Sequence, residues 1–285
     1  MDTKTNEIES ILKAAPQPII GTLDVETLLN GKIPAVFVPE NYKLTVMPEL
    51  DKHLPKPLRK SGTRVLDDAE SFIYYVKEHG TAATCRIYLQ ADFVQGLIKF
   101  TATFNDHLTD TSGWNDFKAI YAPKKSEEWK RWTSKDRDQM SQTEFATWLE
   151  DNLSDIAPPE PNGKKFPTGS EMLSMAINFE ATGDKSFKSQ TRIQSGGIEF
   201  EFIDRENDAT RGKMQAFERF ELGLAPLFNG SGYRMESRLK YRVRDTKLTI
   251  WYELIRPDKV LEAATKDLVE LIKKETEFPV LMGQV

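Results

Sequence analysis

The chain of 285 residues has one cysteine, three histidines and no long apolar run. The single Cys85 excludes an internal disulfide and suits a reducing cytoplasm. His53, His79 and His107 are scattered, and no Cys/His pair has metal-ligand spacing. No segment approaches the ~18 apolar residues that cross a bilayer. The N-terminus, MDTKTNEIES, lacks the basic start and apolar core of a secretory signal. There is no Gly-x-Ser-x-Gly elbow, and no glycine-rich loop precedes a helix. Gly230-Ser231-Gly232 lies between strand patterns and reads as a turn. No motif calls for a cofactor, and no repeat of fixed period is visible.

What is present is an ordinary globular balance, 39% hydrophobic and 29% charged. The net charge of -5 argues against a generic nucleic-acid coat, though an acidic protein can carry a local basic face. Such a face stands out between Gly232 and Arg256. Tyr233, Met235, Leu239, Tyr241 and Val243 alternate with Arg234, Glu236, Arg238, Lys240, Arg242 and Arg244. Only Ser237 breaks the apolar side. Period two marks a strand with one buried face. Asp245-Thr246 is the expected turn, and Leu248, Ile250, Tyr252 and Leu254 continue the apolar side on the return. A two-residue turn sets Lys240 opposite Trp251 and Arg238 opposite Glu253.

The rest of the chain alternates helix signals with strand runs. Short helices are expected over Asn6 to Ala14 and Asp24 to Asn30. From Ile33 to Gly62 prolines recur at 34, 39, 48, 55 and 57. This part reads as an extended arm, too apolar for a free linker. Asp67 to His79 reads as a helix opened by Asp67 and Glu70 and stopped by Gly80. Strands follow at Ala83 to Leu89, Leu97 to Phe104 and Asp116 to Tyr121. A short helix around Ser126 to Trp132 precedes a longer one from Gln142 to Ile156, opened by a Ser141/Glu144 capping box. Ala157 to Gly169 has the composition of a linker. A helix capped by Ser170 is expected from Glu171 to Glu180. Strands are expected at Phe187 to Ile193, Ile198 to Ile203 and Phe217 to Leu224. The last helix begins at Pro257 and runs to about Lys274, burying Leu261, Ala264, Leu268, Leu271 and Ile272. Glu262/Lys266 and Glu270/Lys274 are its expected ion pairs. The pattern implies an α+β fold with antiparallel sheets. It divides into an arm over 1–62, an α+β lobe over 63–157 and a sheet lobe with a C-terminal helix over 158–285.

Candidate chemistry is sparse. Asp204-x-Glu206-x-Asp208 starts like a calcium loop, but Ala209 stands where glycine is needed. Asp116-Phe117-Lys118 with Asp106 upstream resembles a nuclease-like carboxylate and lysine set, and equally an alternating strand. Cys85 reads as a small buried hydrophobe. The basic face is the main candidate: Arg234, Arg238, Lys240, Arg242, Arg244 and Lys247 around Trp251. Three readings fit it. It can track phosphates while the indole stacks on a base. It can be a solvated face whose cationic stems cover Trp251. It can meet an acidic face, such as Glu144, Glu150, Asp151 and Asp155, on another subunit.

Four blocks carry a family resemblance: VFVPENYKL at 36–44, LPKPLRKSGTRVLDDAESFIYYV at 54–76, the segment 121–156, and YRMESRLKYRVRDTKLTIWYELIRPDKVLE at 233–262. They resemble the YfdQ-like family of phage and prophage proteins, the domain of unknown function 2303. The resemblance covers nearly the whole chain. It implies a phage or prophage origin and a cytoplasmic location, and carries over no catalytic residues. The expectation is a non-enzymatic accessory protein without a cofactor or metal. It self-associates through the N-terminal arm, and DNA or RNA is the ligand of the hairpin face. The alternative is a structural homo-oligomer, such as a ring or closed shell, or a binder of a host protein.

Overall fold

The computed structural model describes residues 19–25, 31–37, 56–57, 59–107, 109–161, 166–181, 186–192, 197–203, 211–244 and 247–285. The chain divides into two compact units, Met1–Lys60 and Ser61–Val285.

In the first unit, β1 (Ile19–Val25) pairs antiparallel with β2 (Gly31–Phe37), from Ile19 opposite Phe37 to Val25 opposite Gly31. Asp24 and Val25, expected in a helix, are therefore strand. β-branched residues at 19, 20, 22 and 25 favour extended backbone once a partner strand is present. The remainder of that expected helix, the helix over 6–14 and most of the arm lie outside the described residues.

The second unit is α+β. Its larger sheet has the order β13-β4-β5-β6-β3. The strands are β3 (Gly62–Leu66), β4 (Arg86–Asp92), β5 (Leu97–Thr103), β6 (Phe117–Tyr121) and β13 (Val280–Met282). β4, β5 and β6 pair antiparallel, while the outer pairs β3 with β6 and β13 with β4 run parallel. Alternation carries no information on strand direction, and neither outer strand has the length to announce itself.

Helix α1 (Ala69–His79) packs on this sheet through Phe72 and Val76. The Phe72 ring lies 5.7 Å from Tyr121, which stacks on Phe100 at 6.0 Å. The cap differs from the expected Asp67 and Glu70. Asp68 is the extended residue before the helix, and its carboxylate accepts from the Ser71 N–H at 2.7 Å. Gly80 ends the helix, its N–H donating to the Val76 carbonyl at 2.7 Å. A side chain there would meet the Phe278 ring at 2.6 Å, so the close approach demands glycine.

The second sheet has the order β10-β11-β12: β10 (Arg219–Leu224), β11 (Tyr233–Arg244) and β12 (Lys247–Leu254). The hairpin register is the expected one, with Lys240 opposite Trp251 and Arg238 opposite Glu253. Its apolar side buries Phe220, Leu222, Leu224, Met235, Leu239, Ile250 and Tyr252. Against it lie α2 (Glu127–Ser134), α3 (Gln142–Asp151) and α5 (Pro257–Thr276). Trp132 of α2 sits 5.0 Å from Tyr252 and 5.5 Å from Trp148 of α3. The Tyr252 hydroxyl donates to the Trp132 carbonyl at 2.8 Å. α3 opens with the full Ser141/Glu144 capping box. It stops at Asp151, and 153–155 form a separate single turn.

Both edges of this sheet are covered. Met140 exchanges two backbone bonds with Ile250, and the Ala157 N–H donates to the Glu221 carbonyl at 2.8 Å. Such cover removes an open template for strand addition. Segment 157–161 therefore begins tied to β10, with Ala157 buried. Helix α4 (Gly169–Ala181) follows. Its cap is Thr168, not Ser170: the Thr168 hydroxyl accepts from the Glu171 N–H, and Glu171 accepts from the Thr168 N–H.

A third sheet, β7-β8-β9, comprises Ser186–Arg192, Gly197–Ile203 and Arg211–Phe217. The strand expected over 217–224 is thus split at Glu218 between β9 and β10. In α5, Leu261, Ala264 and Ile272 are buried, but Leu271 is exposed. Among the described residues its pairs within the helix are Lys259 with Glu262 and Glu270 with Lys273, spaced one residue closer than expected, while Asp258 pairs with Arg256 and Glu275 with Lys77 outside it. Among the described residues no helix is long and apolar enough to cross a membrane.

Candidate functional site

The outward face of the second sheet is set by pairing. Gly223 of β10 lies opposite Arg234, Glu221 opposite Glu236, and Arg219 opposite Arg238. On the other side, Arg238 faces Glu253, Lys240 faces Trp251, Arg242 faces Thr249 and Arg244 faces Lys247. The face is therefore graded. Its half near β10 mixes both signs, and its far half carries cations around one indole.

In the mixed half the charges are spent on each other. Arg234 pairs with Glu221, reaches Glu160 at 3.0 Å and donates to the Pro158 carbonyl at 2.8 Å. Arg219 pairs with Glu236. The far half differs. Among the described residues, Arg238, Lys240 and Arg242 form no ion pair, and Arg238 and Arg242 are exposed. The Arg242 guanidinium lies 5.4 Å from the Trp251 ring centre, a cation–π distance. The Trp251 indole N–H donates to Glu253 at 3.4 Å, and the ring is half-buried. The buried side keeps the ribbon fixed. Burial pushes the Tyr241 hydroxyl well up from its ordinary pKa, and that hydroxyl donates to the Phe217 carbonyl at 2.7 Å.

Of the seven candidates, Arg238, Lys240, Arg242 and Trp251 form one cluster. Arg244 and Lys247 pair in register at the end of the hairpin. Arg234 lies apart, among carboxylates. Glu221 was missed because its place beside Arg234 depends on the β10 register. Glu236 and Glu253 were visible as the two acids in the alternation.

Several of the other candidates are engaged elsewhere. In the acidic set, Glu144 closes the capping box, and Asp155 accepts from the Trp132 indole at 2.8 Å beside Arg131 at 3.6 Å. Asp106 accepts from the Tyr88 hydroxyl at 2.5 Å, and Asp116 from Asn105 at 2.9 Å. Among the described residues no three His, Cys, Asp or Glu side chains converge to hold a metal. The Asp204 to Asp208 segment lies outside them. Cys85 is fully buried, and burial pushes its thiol up to about 12.

The chain matches, over residues 1–285, the family described as uncharacterized conserved protein (DUF2303). It belongs to that family. No curated protein matches it.

Proposed function

We propose that this DUF2303 protein is a non-enzymatic phage or prophage accessory protein, working in the host cytoplasm, that binds nucleic acid through the far half of its β11–β12 face. One observation carries the reading. Arg238, Lys240 and Arg242 project on one side of a single strand, about 6.7 Å apart in succession. They lack ion pairs among the described residues and flank an accessible indole. Cations in a row neutralise phosphates, and an indole supplies a sequence-tolerant stacking surface. Arg244 and Lys247, in register at the hairpin end, would extend the track there.

The test is binding of a labelled oligothymidylate, followed by fluorescence anisotropy. Changing Arg238, Lys240 and Arg242 together to Glu abolishes binding and leaves the fold intact. Binding that survives the triple change with an unchanged salt slope removes this face as the site.

Self-association through the N-terminal arm is part of the proposal. Its support is the apolar, proline-punctuated composition of 33–62, which left in water would expose more apolar surface than monomers usually tolerate. Deletion of residues 1–57 yields a smaller assembly. A monomeric full-length chain, or a deletion that keeps the parental mass, sinks it.

A second reading is supported by Glu221, Glu236 and Glu253 on the same face. Mixed charge suits a protein surface, either another subunit or a host protein, better than a phosphate backbone. No binding to single- or double-stranded DNA at low salt would favour it.

A further inference from the structure

One concavity of the second unit is lined by none of the outward residues of the basic face. It is a groove of about 910 Å³ between the first turn of α1, the C-terminal half of α5 and the loop 227–233. Its floor follows α5. Ala264, Leu268 and Leu271 line it at i, i+4 and i+7, one stripe of the helix. Leu271 is 44% exposed, where the apolar pattern of α5 alone would bury it. Phe228 stands on the facing wall, 58% exposed. The backbone beneath Phe228 is pinned. Its N–H donates to the Lys124 carbonyl at 2.8 Å, and the Gly230 N–H donates to the Leu227 carbonyl at 3.0 Å. Asn229 holds a left-handed conformation, φ 56°. An exposed aromatic on a fixed turn is an anchor of low entropic cost.

The rim is acidic. Asp67, Glu70, Asp267 and Glu275 line the groove with Lys124 as the cation among its lining residues. Lys124 is taken by Asp67 at 2.7 Å, and Glu275 pairs with Lys77 at 3.6 Å, so the rim keeps a net negative charge with Glu70 and Asp267 as its carboxylates outside an ion pair among the described residues. Asp267 is oriented by the Tyr233 hydroxyl, whose own pKa is pushed up to about 12 by burial and by this bond. Glu70 has no ion pair among the described residues. From Ala264 to Glu275 the groove follows about 16 Å of helix, the length of roughly three turns.

We infer that this groove docks a basic amphipathic helix of a partner protein. The apolar stripe and Phe228 receive its Leu-like anchors, and the carboxylates receive Lys or Arg at the margins of the same helix. Phosphate-bearing ligands and acidic lipid surfaces are repelled by the rim. The inference stands independently of nucleic-acid binding at the hairpin.

The probe is a fluorescein-labelled helical peptide of about 14 residues, Leu and Lys in amphipathic order, titrated against the full chain. A scrambled peptide of the same composition is the control. The expected result is saturable binding of the amphipathic peptide and about tenfold weaker binding of the scrambled one. Leu271→Ser and Phe228→Ala each weaken binding by about tenfold, and Glu70→Gln together with Asp267→Asn does the same. Both apolar positions are exposed, so circular dichroism of these variants stays parental. Glu150→Gln, on the acidic face of α3, leaves binding unchanged. Absence of binding, equal binding of both peptides, or affinity untouched by the groove variants overturns the inference. Light scattering separates the other occupant: if Leu271→Ser with Phe228→Ala lowers the mass of the assembly, the groove takes a second copy of this chain and no partner helix.

Discussion

Replacing Arg238, Lys240 and Arg242 by Gln separates fold from binding at the hairpin. Among the described residues the three side chains make no ion pair, and they project from the face opposite the buried Leu239, Tyr241 and Ile250. Changing Arg238 or Lys240 should therefore move folding free energy by no more than about 0.5 kcal/mol. Arg242 adds a cation–π contact with Trp251, worth about 0.5–1 kcal/mol at an exposed site. Binding responds very differently. On a single strand each neutralised phosphate contributes about 0.7 to the slope of log K against log salt. Losing three contacts lowers the slope by about 2, which at 0.1 M salt is a loss of about a hundredfold in affinity. Anisotropy of a labelled oligothymidylate over a salt series reads both numbers, and thermal melting reads the fold. Arg234→Gln is the contrast. It breaks the pairs with Glu221 and Glu160 and costs stability of up to about 1 kcal/mol, with little change of slope. An unchanged slope in the triple variant, or a collapse of its melting temperature, would refute the reasoning.

Three further outcomes follow from the interior and the helix caps. Tyr252→Phe removes the bond to the Trp132 carbonyl and leaves that acceptor buried, so chemical denaturation should show a loss of about 1–3 kcal/mol; an unchanged midpoint would mean the carbonyl finds another donor. Cys85, buried and with its thiol raised to about 12, should react with a thiol reagent only as fast as the protein opens, and burst labelling of the native protein would contradict its placement. Asp68, Glu144 and Glu171 are held below the ordinary carboxylate range, first by the backbone N–H groups of Ser71, Ser141 and Thr168 and then by the side chains of the same residues. A lowered folded pKa stabilises above the unfolded value and is lost as pH falls through the folded one. The melting temperature should therefore hold from neutrality to about pH 5 and drop below about pH 4, and Glu144→Gln, which removes the titrating group, should flatten part of that drop; identical acid profiles would show that Glu144 is not among the groups responsible.

The hairpin was legible because every second residue from Tyr233 to Val243 except Ser237 is apolar and a two-residue turn permits one register. The core helices were legible because their apolar stripes are local. What was hidden depends on distant pairing. The parallel strands Gly62–Leu66 and Val280–Met282 are short and gain their identity from β6 and β4. Residues 211–217 sit in a charged stretch and become a strand through their pairing with 197–203. Ser170 and Asp67 are good capping types, yet Thr168 and Asp68 hold the caps because backbone geometry decides where the first turn starts. The basic face was readable as a list of cations. Its division into a neutralised half and an open half was not, since Glu221 reaches Arg234 from another strand and Glu160 from beyond Ala157. Leu271 fitted the α5 stripe, but the groove beside it belongs to α1 and the loop at Phe228.

Photocross-linking of oligothymidylate to the full chain, with mass-spectrometric mapping of the attached peptide, tests nucleic-acid binding at the hairpin most directly. Attachment is expected within 233–254, centred on Trp251, and is lost when Arg238, Lys240 and Arg242 are changed to Glu. Attachment confined to another part of the chain, or none at low salt, would contradict it.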